Sequence, residues 1–99
     1  MNKEDFMDYK IEFREDENRS VAIVDDKIVG ECDFKIKGED WDIVHTGVDP
    51  EYRGGSIAID LLNAVVENAR SKGKKIIPTC PYVLKKFKKD ESYNDIWKK

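Results

Sequence analysis

Apolar and polar residues alternate with two different periods along this chain, and the period changes near its middle. Tyr9-Lys10-Ile11-Glu12-Phe13-Arg14 repeats every second residue, the mark of a strand with one face buried. The charged segment Glu15 to Arg19 interrupts it. Ser20 to Val24 reads as a second strand, and Asp25-Asp26-Lys27 is short enough to return it as a hairpin. Ile28 to Ile36 follows, with Cys32, Phe34 and Ile36 on one face. Gly38-Glu39-Asp40 turns the chain into a fourth strand, Trp41 to Val48. The first half is thus predicted to be an antiparallel meander, preceded by a polar lead-in over residues 1–8.

After Val48 the spacing changes. Asp49-Pro50-Glu51-Tyr52 is a turn, because proline fixes φ and offers no N–H to a sheet. From Ile57 the apolar residues fall at 57, 58, 61, 62, 65, 66 and 69, a helical stripe with Asp60, Asn63, Glu67 and Arg70 opposite. Gly73 stands where a left-handed cap would end that helix, and residues 74–79 read as a short fifth strand. A helix between two strands indicates a parallel, right-handed crossover. Pro81 suits the first turn of another helix, Tyr82 to Lys89, and residues 90–99 a final short turn or helix.

Composition narrows the class. Ninety-nine residues support one domain, 1–99, whose modest core is helped by ten aromatic residues. No apolar run approaches the roughly 20 residues of a membrane-spanning helix. Met1 to Phe6 lacks the apolar core of a leader peptide, so a cytoplasmic protein without a membrane partner is expected. Cys32 and Cys80 lie far apart, with no CxxC and one histidine, which argues for free thiols and no metal. Net charge is −3, but residues 1–51 carry 7 basic and 16 acidic side chains while residues 70–99 carry 10 basic and 3 acidic. The basic last third either attracts an anion or is a solvated helix face. The acidic overall balance and the lack of a recognised binding motif argue against nucleic acid. An exposed edge in the meander leaves a monomer or a weak homodimer open.

Chemistry gathers at Arg53-Gly54-Gly55-Ser56-Ile57-Ala58, between the fourth strand and the long helix. Adjacent glycines allow positive φ and turn N–H groups inward, and the helix adds its own unpaired N–H groups and positive dipole end. The result is a phosphate cradle or, more blandly, a Gly-Gly turn with no ligand. The crossover brings the ends of the fourth and fifth strands to the same sheet edge, where open sheets bind ligands, and sets Cys80 beside the cradle. The segment resembles the pyrophosphate loop of the GNAT superfamily of acetyl-coenzyme A-dependent N-acetyltransferases, Arg/Gln-x-x-Gly-x-Gly/Ala. Arg53 takes the first place, Gly54 and Gly55 the next two, Ser56 that of the first required glycine, Ile57 the spacer and Ala58 the last small residue. Similarity sharpens toward a very small single-domain branch through His45-Thr46-Gly47-Val48, Cys80-Pro81-Tyr82 and Tyr93-Asn94-Asp95. Ser56 departs from the pattern, and its hydroxyl either narrows the approach of the phosphates or donates to them.

The resemblance implies a GNAT-like α/β fold: a mixed sheet with an antiparallel N-terminal meander, a parallel strand-helix-strand crossover and C-terminal helices. It implies acetyl-coenzyme A as acyl donor, held by Val48, Arg53, Gly54, Gly55, Ser56, Ile57 and Ala58, with the pantetheine arm between splayed strands. The acceptor is then an amine on a small molecule or a protein tail. Cys80, at a helix N-terminus that favours thiolate, is either a nucleophile or part of the acyl pocket wall. His45 activates Cys80, deprotonates the amine, or is structural. Tyr82 protonates the leaving thiolate or packs its helix on the sheet. Position 47, often glutamate in the branch, is Gly47 and cannot take a proton, so His45, water or another carboxylate must. The alternative function is a non-catalytic acyl-coenzyme A-binding sensor or interaction module.

Overall fold

A computed structural model describes residues 8–99, so the lead-in expected over residues 1–8 lies, except for Asp8, outside the described residues. Five strands form one sheet in sequence order: β1 (Lys10–Arg14), β2 (Arg19–Val24), β3 (Lys27–Lys37), β4 (Asp40–Val48) and β5 (Ile76–Pro78). Two α-helices follow the meander, α1 (Ile57–Ser71) between β4 and β5 and α2 (Pro81–Lys89) after β5. The first four strands pair antiparallel, and β5 runs parallel to β4. Meander and crossover both match the sequence reading.

Local chemistry accounts for these elements. The β2–β3 hairpin closes on Asp25 and Asp26, both at positive φ (49° and 64°). That is the mirror-image turn whose twist matches the strands it joins, and aspartate tolerates it better than most residues. The stripe of α1 buries Ile57, Leu61, Leu62, Val65, Val66 and Ala69 against the sheet. Ala58, the remaining member of the stripe, is only half-buried. At the other end Lys74 N–H donates to Ala69 O (2.8 Å) and Gly73 N–H to Arg70 O (3.2 Å), with Gly73 at φ 68°, a Schellman cap. Pro81 opens α2, whose Val83 and Phe87 enter the same core as α1.

The C-terminus holds more order than the expected turn or helix. After a 3₁₀ turn, Glu91–Tyr93, the chain bridges β5 in parallel at Ile76 and Trp97. Ile76 N–H donates to Ile96 O (2.6 Å) and Lys98 N–H to Ile76 O (2.8 Å), which covers the outer edge of β5. One bridge leaves no periodicity in a sequence.

Two irregularities position the site. The β3–β4 register steps from Phe34↔Ile43 to Asp33↔His45, so Val44 is an extra residue in β4. Strict alternation from Trp41 and Ile43 would carry His45 to the helix-covered face. The bulge instead puts Thr46 there, paired with buried Cys32, and turns His45 and Gly47 to the opposite face. Pairing of β4 with β5 spans only Trp41↔Ile76, Asp42↔Ile77 and Ile43↔Pro78, and Cys80 N–H then donates to Ile43 O (2.8 Å). Beyond that bond, among the described residues, Val44 to Val48 have no strand partner on the β5 side. The sheet is splayed there.

Candidate active site

A cleft of about 280 Å³ opens at this splay, lined by Thr46, Gly47 and Val48 of β4, Arg53 of the loop, Ala58 of α1 and Tyr82 of α2. Both helices contribute from their first turns, so two positive dipole ends face the same space. Of the residues expected at the site, Val48, Arg53, Ala58 and Tyr82 line the cleft directly.

The loop's backbone is arranged to donate. Gly54 takes φ 94°, with open space where a Cβ would sit, while Gly55 does not adopt positive φ, so one glycine makes the turn. Arg53 and Gly54 form a turn that closes at Gly55; among the described residues, no protein acceptor bonds the backbone N–H groups from Ser56 to Ile59, and the first intrahelical bond is Asp60 N–H to Ser56 O, 3.0 Å. Arg53 Nε donates to Val48 O (2.9 Å), tying the loop to the end of β4. Ser56, at φ −97° and ψ 5°, needs no glycine. Its hydroxyl does not cap the helix but lies 2.6 Å from the Tyr9 phenol, which also donates to Asp60 Oδ2 at 2.5 Å.

Behind the β4 wall stands a row of three polar side chains. Cys80, 5% exposed at the α2 N-cap, donates its thiol hydrogen to Thr46 Oγ1 (3.7 Å), and the Thr46 hydroxyl donates to Cys32 Sγ (3.6 Å). Burial pushes the Cys32 thiol up to about 12, against a partial lowering by the Thr46 hydrogen bond. Thr46 rather than Cys80 meets the cleft. Burial also raises the Tyr82 phenol above its usual 10.0, and the Asp60 carboxylate acts in the same direction. Tyr82 therefore keeps its proton at neutral pH, and Lys86 Nζ sits 5.4 Å from its ring centroid. His45 is not brought to Cys80. It lies on the other face of β4, with Nε2 2.9 Å from Glu31 Oε2 of β3.

The family model for the GCN5-related N-acetyl-transferase matches residues 10–96. The chain belongs to that family. A GCN5-like protein of Staphylococcus aureus superposes on it with a TM-score of 0.72 at 30% identity, covering 90% of this chain and 87% of that one. An acetyltransferase of Trypanosoma brucei matches at 26% identity and TM-score 0.57, over 77% of this chain and 63% of that one. Arabidopsis thaliana Naa50, in complex with the bisubstrate analogue CoA-Ac-MVNAL, matches at 28% identity and TM-score 0.51, over 74% of this chain and 54% of that one. This chain thus spans less than two thirds of the last two. Comparison with curated proteins gives no match.

Membership accords with the mixed sheet and the acetyltransferase class read from the sequence. Among the described residues, no group of His, Cys, Asp and Glu is arranged to hold a metal ion, and no helix is long and apolar enough to cross a membrane. Two residues beside the cleft escaped sequence reasoning. Thr46 was read as part of a motif, and only the bulge at Val44 reveals that it faces the cleft. Glu31 carried no signal, because its nearness to position 47 depends on cross-strand register.

Proposed function

We propose that this GCN5-related protein transfers acetyl from acetyl-coenzyme A to an amine. The observation that carries the proposal is the convergence, on one cleft, of the terminal half of β4, which has no strand partner on the β5 side, with a run of amides at the start of α1 that no acceptor among the described residues bonds. A thioester carried there would supply an activated acyl group and an anionic diphosphate. That donor set fits the chain: the amides of Ser56 to Ile59 meet no acceptor among the described residues, two helix N-termini favour negative charge, and the β5-side edge of β4 beyond Val44 has no strand partner and can pair with an extended amide-bearing arm. Ser56 does not oppose the fit, since its hydroxyl is held by Tyr9.

Within the cleft Tyr82, protonated across the neutral range, is the proton donor for a departing thiolate. Arg53 and Val48 fix the loop against β4. Cys80 lies behind Thr46 with its thiol hydrogen already donated, and the imidazole that would deprotonate it is on the other face of the strand. This arrangement supports direct attack by the amine, with Cys80 as wall.

Calorimetry with acetyl-coenzyme A and desulfo-coenzyme A, followed by thiol release over a panel of amines, tests the reading. Heat of binding together with turnover on at least one amine is expected. Absence of binding at millimolar acetyl-coenzyme A removes the proposal, and binding without turnover would leave a sensor in its place. Cys80→Ala is expected to keep kcat within about tenfold, the scale of a repacked wall. Intact mass after incubation with acetyl-coenzyme A should show no acetyl adduct that the substitution abolishes; an adduct lost with Cys80 would establish a covalent route.

A further inference from the structure

The face of the sheet turned away from the helices carries a second polar group at the cleft. Gly47 lines the cleft, and a Cβ placed on it would lie 2.6 Å from Glu31 Oε2 and 2.9 Å from His45 Nε2. Those two atoms are themselves 2.9 Å apart. The volume that a side chain at 47 would take is therefore occupied by a carboxylate from β3 and an imidazole from β4. Glu31 is the register partner of Gly47, so the strand pairing itself delivers it there. Asp33, the register partner of His45, is engaged by Arg19 Nε at 2.7 Å, which leaves Glu31 as the carboxylate the imidazole meets. Solvent reaches both, at 55% exposure for the His45 side chain and 29% for Glu31. A 2.9 Å separation is hydrogen-bonding distance, so the imidazole fixes one carboxylate oxygen of Glu31 and leaves the other to meet a ligand.

The geometry points to Glu31, held by His45, as the residue that binds the acceptor amine in its ammonium form and removes its proton; this rests on the acyl-transfer reading above. The ammonium donates to the Glu31 carboxylate, with which it forms an ion pair at the rim. One N–H bond then breaks, its electron pair stays on the amine nitrogen, and the proton passes to the free oxygen of the Glu31 carboxylate to which the ammonium was bonded, while the contact with His45 Nε2 holds that carboxylate in place. The neutral amine faces the cleft across a residue with no side chain to block it. A glycine at 47 is then what allows a base from β3 to reach the rim.

The chain has a single histidine, which gives one imidazole signal in a carbon-resolved NMR spectrum. Spermidine added to the full chain is expected to move that signal in the wild type and to leave it in place in Glu31→Gln, which keeps the side chain's shape and its bond to the imidazole. The signal should move again in the double variant Glu31→Ala, Gly47→Glu, which returns a carboxylate to the same volume. In turnover, Glu31→Gln is expected to lose about 100-fold in kcat with an unchanged KM for acetyl-coenzyme A, and the double variant to recover at least about tenfold over Glu31→Ala. A signal unmoved in the wild type, equal movement in Glu31→Gln, or an unchanged kcat in Glu31→Gln overturns the assignment. A wild type that binds spermidine at His45 yet binds no acetyl-coenzyme A would sink the acyl-transfer reading while the imidazole signal still decides for Glu31.

Discussion

Ala58→Glu is expected to abolish acyl-coenzyme A binding while leaving the protein as stable as before, or slightly more so. The two effects have opposite signs because they arise from one dipole. Ala58 is the second residue of α1, half-buried and part of the cleft wall. A carboxylate in the first turn of a helix stabilises it by about 0.3–1 kcal/mol, since it meets the unpaired amides and the positive end. Those same amides are the donors proposed for the diphosphate. A fixed negative charge about 4 Å from a phosphate is unfavourable by about 4 kcal/mol at the effective dielectric of a protein surface, before the lost volume is counted. Affinity should fall at least about 100-fold. Ala58→Gln separates the terms, because it fills the cleft without the charge and should bind more weakly than wild type but more tightly than the glutamate. Calorimetry gives both dissociation constants and a thermal melt gives the stability. Wild-type affinity in Ala58→Glu would mean that phosphate binds elsewhere.

Much of this site was legible in the sequence, and its gaps have one cause. The 57–69 stripe, the cap at Gly73, the crossover and the proline at the head of α2 are local patterns, set by residues within one or two turns of each other. That the end of β4 and the loop over residues 53–58 meet follows because a crossover fixes where strand ends and helix starts converge, whereas Tyr82 is singled out only through the Cys80-Pro81-Tyr82 resemblance. What the sequence does not carry is register. One extra residue at Val44 exchanges the faces of Thr46 and His45, and no alternation pattern announces where a bulge will fall. With Thr46 turned inward, Cys80 sits behind it and out of reach of the only imidazole. With His45 and Gly47 turned outward, Glu31 closes over the space a side chain would have taken. A missing base at 47 and a supplied base from β3 are the same packing fact seen along the chain and across it.

Phe87→Ala should lower the thermal midpoint by roughly 15–30 °C and carry the cleft away with it. Phe87 is 1% exposed, stacks on Tyr93 at 4.9 Å between ring centroids and meets Trp97 edge-on at 5.8 Å. Truncating a buried phenylalanine costs about 3–5 kcal/mol. For a domain of this size each kcal/mol is worth about 4–8 °C, and total stability is only about 5–15 kcal/mol, so the low end of that range approaches unfolding at 25 °C. The loss would not be confined to α2. The Tyr93 hydroxyl donates to Asn63 Oδ1 of α1 at 2.7 Å, and Arg70 of α1 holds Asp95 at 2.8 Å, so the aromatic cluster clamps the second helix and the C-terminus onto the first. That clamp keeps two helix N-termini facing one cleft, and Tyr82 is its nearest dependent on the α2 side. Phe87→Leu, which preserves most of the volume, should lose less than about half as much and retain binding. Far-ultraviolet melts of the three proteins, each with and without acetyl-coenzyme A, read both quantities. A Phe87→Ala midpoint within a few degrees of wild type would mean that α2 is held by its backbone bond to β4 and its proline start alone, and that the convergence of the helix ends does not depend on the C-terminal aromatics.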